Sequence, residues 1–316
     1  MTSSVFSLVA GRLTATAVTL LIVSLAVFVA TSLLPGDTAA ILLGQAATPD
    51  AVEGLRKAMH LDEPAALRYV FWIAGLFHGD LGTSYANNMP VAQLIGARLV
   101  NSMKLAGVTT LFSVPLALVL GITAAIFRGT LYDRVVTFLT IGLISVPEFV
   151  VATTAVLIFS VYLHWLPALA FANEIHSVVQ LLRVFAMPVI TLTFVVAAQM
   201  IRMTRAAMIE MLGTHYVEMA LLKGASRSRI VLRHALPNAL GPIVNAMALS
   251  LSYLLGGVII VETIFNYPGI AKLMVDGVAT RDLPLVQSCA MIFCIGFLIL
   301  TTLADIVAIL ANPRLR

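Results

Sequence analysis

Long uncharged stretches dominate the chain, and their length predicts membrane-spanning helices. A helix needs about 20 apolar residues to cross the hydrocarbon core of a bilayer. Six stretches fit this requirement, and they lie between Arg12 and Asp37, Lys104 and Arg128, Arg134 and about Leu163, Arg183 and Arg202, about Asn238 and Glu262, and Asp282 and Asp305. The pattern therefore predicts an all-α, polytopic membrane protein with six transmembrane helices, in which residues 1–316 form a single transmembrane domain.

The composition supports a membrane protein. Hydrophobic residues make up 60% of the chain and charged residues 11%, whereas soluble domains average about 45–50% apolar and about 25% charged residues. The chain is basic, with 19 Lys and Arg against 15 Asp and Glu, but the cations do not form one stripe, and most lie near the ends of apolar runs. This placement is typical of anchors at a lipid surface, so we expect lipid contact and no nucleic-acid partner.

The first apolar run, from Leu13 to Leu34, is longer than the apolar core of roughly 7–15 residues in a cleavable signal peptide. No site with two small residues flanking a third follows it. We therefore expect this run to be retained as the first span.

The loop cations predict the orientation of the spans. With the amino terminus inside, eleven of the 19 cations face the cytoplasm: Arg12, Arg128, Arg134, Arg202, Arg205, Lys223, Arg227, Arg229, Arg233, Arg314 and Arg316. The other eight face outward: Arg56, Lys57, Arg68, Arg98, Lys104, Arg183, Lys272 and Arg281. Four of these lie on residues 35–98, and long translocated segments largely escape the charge rule. We therefore expect both termini to be cytoplasmic.

Residues 35–98 are predicted to form an extracytoplasmic helical insertion between spans 1 and 2. Thr48 is a predicted N-cap, and Pro49 suits the first helical position after it. A second helix is predicted to start near residues 62–64 and carries an apolar cluster at residues 70–73, which suits a membrane surface or the mouth of a pore. Residues 262–284 are predicted to lie outside as well.

Residues 204–238 form the predicted cytoplasmic loop, which includes the most polar long stretch of the chain, EMALLKGASRSRIVLRHALPN at residues 218–238. A short helix is predicted to end at Gly224, because glycine readily adopts the left-handed backbone that ends helices. Ser226 is the predicted N-cap of a second short helix, which Pro237 closes. Two interpretations remain open at this point: a bent helix pair that docks into a soluble partner, or an ordinary cationic loop that fixes topology.

The chain offers no pattern for chemistry of its own. It contains no Gly-Lys dipeptide and therefore no phosphate-binding loop, so any ATP is hydrolysed by another polypeptide. Its six histidines show no metal-ligand spacing, and Ser, His and acidic residues are scattered over loops predicted on opposite faces of the membrane. We expect no catalytic residues, no metal and no cofactor in this chain.

The loop sequence resembles the cytoplasmic loop of binding-protein-dependent ABC importer permeases. That family pattern reads E-A-A-x(3)-G-x(9)-I-x-L-P, and this chain departs from it at Met219 and at His234. The matching positions and their neighbours, which the resemblance assigns to ATPase coupling, are Glu218, Met219, Ala220, Gly224, Ala225, Ser226, Leu236 and Pro237.

Further segments resemble the subfamily that imports oligopeptides, dipeptides and nickel. They are LPGD at 34–37, residues 60–85, ETIFNYPGI at 262–270, RDLPLVQ at 281–287 and NPRLR at 312–316, where Asn312 stands at a position more often occupied by Asp. Together they cover the chain nearly from end to end. The resemblance implies an ABC importer permease fold, the first of two related permease subunits, and a place in the bacterial inner membrane.

The resemblance also implies partners. The bent loop would be the coupling helix that sits in a cleft of an ATPase subunit, and small Ala220 and Gly224 would let that surface approach closely. The complex would contain a sister permease, two ATPase subunits and an extracytoplasmic solute-binding protein, with ATP and Mg bound by the ATPase subunits. Each permease would form half of an alternating-access path for a dipeptide or oligopeptide.

Glu148 follows Pro147 about midway along the third predicted span. A charge there costs on the order of 2.5–3.5 kcal/mol on insertion scales, so it is not expected to face lipid. Either Glu148 lines the translocation path and contacts a peptide amine or backbone, or its carboxyl fills the helix break left by Pro147. The motifs above do not include it.

Other functions fit parts of the sequence. A nickel-chelate, glutathione or opine permease of the same family would carry the same motifs. An ion-driven secondary transporter would be expected to have more intramembrane acids than Glu148 and often an inverted repeat. A membrane scaffold without transport would not need the bent loop.

Overall fold

The computed structural model describes residues 2–33, 36–170 and 178–311. The regular structure in these ranges is helical, apart from one isolated β-bridge between Thr83 and Pro90, so the all-α prediction is confirmed for the described residues. The sequence motif at residues 312–316, with Asn312, Arg314 and Arg316, lies outside them, as do residues 34–35 of the LPGD segment.

The described residues form thirteen α-helices. They are α1 Thr2–Ser32, α2 Thr38–Leu43, α3 Pro49–Ala58, α4 Ala65–Phe77, α5 Val91–Ile126, α6 Leu131–Ser145, α7 Glu148–Ala155, α8 Val178–Leu212, α9 His215–Leu222, α10 Arg227–Arg229, α11 Leu236–Ile264, α12 Ile270–Ala279 and α13 Leu283–Ala311. A 3₁₀ turn follows α2 at Gly44–Ala46, and π-helical turns lie at Val156–Tyr162, after α7, and at Ile230–Ala235, between α10 and α11.

Five continuous helical stretches of the described residues are long and apolar enough to cross a membrane. They are Val9–Ser32, Val91–Ile126, Leu182–Leu212, Arg227–Ile264 and Leu283–Val307. A sixth crossing exists only if α6 and α7 with its π-helical extension count as one span, and this pair is bent by 99°. The six predicted spans therefore correspond to five continuous stretches and one broken pair.

Pro147 accounts for the break in the third predicted span. A proline ring disfavours a helical conformation in the residue before it, and Val146 has an extended backbone with φ −94° and ψ 126°. α6 consequently ends at Ser145, and α7 begins at Glu148. The carboxyl group predicted to lie along a span is therefore at the start of a half-helix.

The helices α5 and α8 are longer than the apolar runs that predicted them, with 36 and 35 residues. At 1.5 Å per residue such helices are about 50 Å long, whereas the hydrocarbon core is about 30 Å thick. The fourth predicted span, between Arg183 and Arg202, is only the apolar middle of α8. Counting the uncharged residues between two charged ones underestimates the length of these helices, because a helix continues through charged residues outside the hydrocarbon.

The chain divides into two compact units. The first comprises residues 1–14, 104–266 and 297–316. Its core is built mainly where α8 packs along α11, and one cluster of it contains Ala125, Ala207, Met208, Val231, Ala235, Ala239 and Ile243. Small side chains at several of these positions let the helix backbones approach closely, which is the usual route to helix association where hydrophobic burial between helices gains little over lipid.

The second unit comprises residues 15–103 and 267–296. Its core cluster contains Val91, Ile95, Ile270, Leu273, Leu285 and Cys289. Asp282 is fully buried beside this core. Its carboxylate accepts hydrogen bonds from the Ser84 hydroxyl and, at 3.0 Å, from the Tyr85 amide, and it caps α13 through the Leu285 amide at 3.4 Å. These donors compensate the charge for its loss of water and fix the loop at Ser84 to the start of α13.

Two helix starts predicted in residues 35–98 are confirmed. The Thr48 hydroxyl accepts a hydrogen bond from the Ala51 amide at 3.3 Å, with Pro49 at the first helical position of α3. The second helix, α4, begins at Ala65, close to the predicted residues 62–64. The ring of Trp72 in α4 stacks on Phe28 of α1 with 6.1 Å between centroids, so the insertion packs against the first span within its own unit.

The approach of α5 to α8 at Gly121 generates a stability prediction. A Cβ at Gly121 would lie 2.7 Å from Thr204 Cβ and 3.0 Å from the Ile201 carbonyl oxygen. We expect Gly121→Ala to destabilise the purified chain by about 1–3 kcal/mol, which is typical of overpacking, and to lower its apparent Tm in detergent. Gly107→Ala on the same helix is the control, because a Cβ there meets nothing within 4 Å. Equal melting temperatures for the two variants would contradict the close approach.

Candidate coupling loop and translocation site

The helix α9 ends in a left-handed turn at Gly224, as the sequence predicted. Gly224 has φ +79°, its amide donates to the Leu221 carbonyl at 2.9 Å, and the Ala225 amide donates to the Ala220 carbonyl at 3.1 Å. This pair of bonds is the Schellman motif, in which a left-handed glycine satisfies the last carbonyls of a helix. The turn redirects the chain within two residues, so α9 and the next helix meet at a bend.

The second helix of the loop begins as predicted but does not end as predicted. Ser226 has an extended backbone, with φ −67° and ψ 152°, and its carbonyl accepts from the Ile230 amide at 2.9 Å, although its side chain makes no capping hydrogen bond. The helical stretch then runs on from Arg227 to Ile264. Pro237 does not close it, so that part of the prediction is wrong.

The π-helical turn at Ile230–Ala235 gives the physical reason. A proline inside an α-helix removes one hydrogen bond, and its ring clashes with the carbonyl four residues earlier. The wider π-helical turn lies immediately before Pro237, and the Leu236 amide donates to the Val231 carbonyl, five residues earlier. Because the backbone is already widened there, the proline is accommodated near the start of α11, and the segment after Gly224 runs without a break into a helix long and apolar enough to cross a membrane.

One face of α9 is buried and holds the bend together. Val217, Ala220 and Ile230 form a small buried cluster, with Leu212 and Ala225 packed against it. Ala220 is only 9% exposed. The expectation that Ala220 offers its small side chain to a partner surface is therefore wrong, because that side chain fills the contact between α9 and the following helix.

The helix α9 also carries exposed apolar side chains beside its buried ones. Met219, Leu221 and Leu222 are 53%, 58% and 75% exposed, while Glu218 in the first turn is exposed and lies 3.7 Å from His215. The cations Lys223, Arg227, Arg229 and Arg233, together with Pro237, are also exposed. A solvated topology anchor does not require exposed apolar side chains, whereas apolar side chains surrounded by charge are typical of a protein interface.

An ion pair with a buried carboxylate, which the sequence reasoning missed, joins the start of this loop to a neighbouring turn. Arg205 Nε and Nη2 donate to the two carboxylate oxygens of Asp133 at 2.6 and 2.9 Å. Asp133 also accepts from the Gly129 amide at 2.9 Å, and its side chain is 5% exposed. The available signal was Thr130 three residues before Asp133, a spacing typical of helix starts. The bidentate pair fixes the end of α8 from which the loop departs.

The Glu148 carboxyl group lies against α11. One of its oxygens, Oε2, is 2.9 Å from the position that a Cβ of Gly257 would occupy, and the side chain is half-buried. The half-helix α7 packs against both α8 and α11. Glu148 therefore lies inside the helix packing of its unit, in a space that exists because residue 257 has no side chain.

Comparisons with known proteins agree with this architecture. A family profile described as "Binding-protein-dependent transport system inner membrane component" matches residues 117–316, and one for the amino-terminal part of such membrane components matches residues 5–106. The glutathione transport system permease protein GsiC of Pectobacterium atrosepticum is 36% identical over 298 residues, which is 94% of this chain and 95% of the relative. A putative peptide transport system permease protein of Brucella abortus is 34% identical over 297 residues, with the same coverage.

The fold has a solved counterpart. A chain of the MetNI methionine ABC transporter, in an inward-facing conformation, matches with a TM-score of 0.55 and 17% identity over 70% of this chain and 97% of that chain. Fold and sequence therefore define an ABC importer permease subunit of the peptide and dipeptide group, as the sequence motifs predicted. The chain belongs to the family of binding-protein-dependent transport system inner membrane components.

Proposed function

We propose that this permease provides half of an alternating-access path for small peptides in a bacterial inner membrane. Its partners in this proposal are a sister permease, two ATPase subunits that bind ATP and Mg, and an extracytoplasmic binding protein that delivers the solute. The relatives named for glutathione and for peptide transport support a substrate of dipeptide to oligopeptide size, with a glutathione-like tripeptide within that range. A nickel-chelate or opine substrate remains the alternative within the family.

The coupling role rests on the exposed apolar side chains of α9. An ATPase subunit that binds Met219, Leu221 and Leu222 removes these side chains from water, and the surrounding cations complement acidic groups at the rim of its cleft. The Schellman turn at Gly224 holds α9 at an angle to the following helix, and that helix continues to Ile264 in the membrane. A displacement of α9 by the ATPase is thereby transmitted directly to a spanning helix.

The sidedness of the loops follows from the cation distribution together with this coupling role. An ATPase subunit is cytoplasmic, so residues 204–238 and both termini lie inside, and residues 35–98 and 262–284 lie outside. The proposed domain organisation is a single transmembrane permease domain over residues 1–316, with one extracytoplasmic insertion at 35–98 and one cytoplasmic coupling loop at 204–238.

Glu148 is the proposed polar group of the translocation path. It lies at the break of a bent helix pair, and the hydrogen bonds and ion pairs of the described residues include none to its carboxylate. A carboxylate in such a place suits the ammonium group or an amide of a peptide. The competing role, a carboxyl that only fills the break, predicts no effect on transport when the charge alone is removed.

The first prediction from the proposed function tests coupling at Gly224. A β-branched side chain there costs about 1–2 kcal/mol for the left-handed backbone alone, and it enters the space next to the partner surface. We expect Gly224→Val in the reconstituted complex to insert normally but to bind the ATPase poorly, with at least a fivefold loss of ATP turnover stimulated by loaded binding protein. Co-purification with the ATPase subunit and stimulated ATP hydrolysis are the measurements.

Gly79→Val is the matched control for Gly224→Val. Gly79 ends α4 in the same motif, with φ +77° and no atom within 4 Å of an added Cβ, and with amide bonds from Gly79 to Leu76 and from Asp80 to Gly75. It carries the same backbone strain outside the coupling loop, so it should retain ATPase binding. Normal coupling in Gly224→Val would leave the loop with only a topological role.

The second prediction tests sidedness by cysteine labelling. Ser226 and Ala58 are exposed, so single cysteines at these positions, on a background without Cys289 and Cys294, should react with an impermeant maleimide from opposite sides of the membrane. Ser84 is unsuitable for labelling, because it is fully buried against Asp282. Modification of both cysteines from one side would contradict the proposed topology.

The third prediction tests the path role of Glu148. Glu148→Gln should preserve assembly, lower peptide uptake several-fold and change the preference among peptides of different charge. Gly257→Ala should have a similar effect, because its Cβ would meet the flexible carboxyl end of Glu148 at 2.9 Å and displace it. Gly256→Ala is the control, since a Cβ there meets nothing within 4 Å. Uptake that is unchanged in Glu148→Gln across the peptide set would assign Glu148 a structural role only.

A further inference from the structure

A cavity of about 570 Å³ lies in the second unit, where two spans begin and end. Its wall includes Phe28 and Ser32 from the last turns of α1 and Leu283 and Gln287 from the first turns of α13. The helix α4 covers it with Arg68, Phe71 and Trp72. Because both spans leave the apolar region here, the cavity lies at one boundary of the membrane, the outer one in the proposed topology.

Two of the residues that line this cavity, Arg68 and Trp72, each carry a buried side-chain donor without an acceptor among the described residues. The Arg68 Nε and Trp72 Nε1 groups are buried and without hydrogen-bond partners among the described residues. The guanidinium of Arg68 forms no ion pair with a described residue, and it lies over the Phe28 ring, 5.9 Å from the centroid. A buried donor without a partner costs about 1–3 kcal/mol, and a guanidinium fork matches phosphate or carboxylate oxygens. Among the described residues the Arg68 guanidinium therefore has no carboxylate partner, and it leaves a positive charge on the lining of the cavity.

An acid on the same wall limits the class of ligand that this cavity can bind. Glu63 lines the cavity, and its carboxylate lies 2.9 Å from His60 Nδ1. Burial raises the pKa of the nearby Tyr85 phenol, so that group stays un-ionised at neutral pH. A cavity with a cation and an acid on its wall suits a zwitterion better than a simple anion, because Glu63 repels a second negative charge and attracts an ammonium group.

The exposed surface of α4 next to the cavity is apolar, which favours a ligand with an apolar part. Val70 and Phe71 are 58% and 61% exposed, next to the cavity and at the level where the spans end. Trp, Tyr and Arg together at such a level are typical of the membrane interface. A ligand that enters here has an apolar body lying against α4 and a zwitterionic head in the cavity.

We propose that this cavity binds the headgroup of a zwitterionic phospholipid, with the phosphodiester beside the Arg68 guanidinium and the ammonium near Glu63. The acyl chains then lie along the exposed side of α4. The same chemistry has a water-soluble counterpart in a zwitterionic peptide, and the experiment distinguishes the two sources. The lipid would fasten the insertion at residues 35–98 to the bilayer, independently of which solute is imported.

The experiment uses Trp72 as its own reporter. The chain contains two tryptophans, so Trp165→Phe leaves Trp72 as the single emitter in the full-length chain, purified in a maltoside detergent. We expect dihexanoyl phosphatidylethanolamine to change the Trp72 emission saturably. Arg68→Gln in this background should raise the half-saturating concentration at least tenfold, and Arg98→Gln, an arginine of the same unit that does not line the cavity, should leave it unchanged.

The other ligands in this experiment distinguish a lipid headgroup from a soluble peptide or free phosphate as the occupant of the cavity. Dihexanoyl phosphatidylglycerol, which has no ammonium, should bind several-fold more weakly, and inorganic phosphate, dihexanoylglycerol and trialanine should give no saturable change. Absence of a saturable response to the ethanolamine lipid overturns the proposal, as does a response that Arg68→Gln retains. A response to trialanine overturns it in favour of a peptide site, and equal binding of the glycerol lipid overturns the role of Glu63. The ligand arms with Arg68 unchanged decide the question even if Arg68→Gln fails to fold.

Discussion

The hydrocarbon core of a bilayer offers no hydrogen-bond partner to a peptide group, and the rest of this structure depends on that constraint. Each span must satisfy its backbone within its own helix, so breaks occur only where other groups compensate. Outside the spans, the Schellman bonds at Gly224 satisfy the end of α9. At Val146 and Pro147 the helix breaks between two helices of the same unit, and the one acid predicted within a span begins the second half.

Three glycines of the first unit have different structural roles. Gly224 adopts a left-handed backbone that a β-branched residue enters only with strain. Gly121 lets α5 approach α8 so closely that even a methyl group would collide with Thr204. Gly257 leaves room on α11 for the carboxyl end of Glu148. The turn, the packing and the proposed path therefore each depend on a missing side chain at one position.

Two buried aspartates connect polar loops to helices through hydrogen bonds and an ion pair. Asp282 joins the loop at Ser84 to the start of α13 in the second unit, and Asp133 joins the turn at Gly129 to Arg205 on α8 in the first. In both cases several donors surround the carboxylate, which is the condition under which a buried charge is tolerated. Arg205 lies at the start of residues 204–238, so its contact with Asp133 holds the beginning of the proposed coupling loop.

The sequence by itself determined the helical class, the apolar segments of the spans, the family and a few of the helix ends. These follow from the local chemistry of the chain: apolar length, Thr48 and Pro49 at a helix start, the left-handed preference of Gly224, and motifs spaced along the chain. The tertiary structure alone decided that α11 tolerates Pro237 after a π-helical turn, that Ala220 is buried within the bend, that Asp133 pairs with Arg205, and that Gly257 receives Glu148. Each of these depends on a neighbour brought close by folding or on backbone geometry beyond residue type. No pattern of nearby residue types encodes that neighbour, because close packing is a property of surfaces that meet only after the helices have assembled.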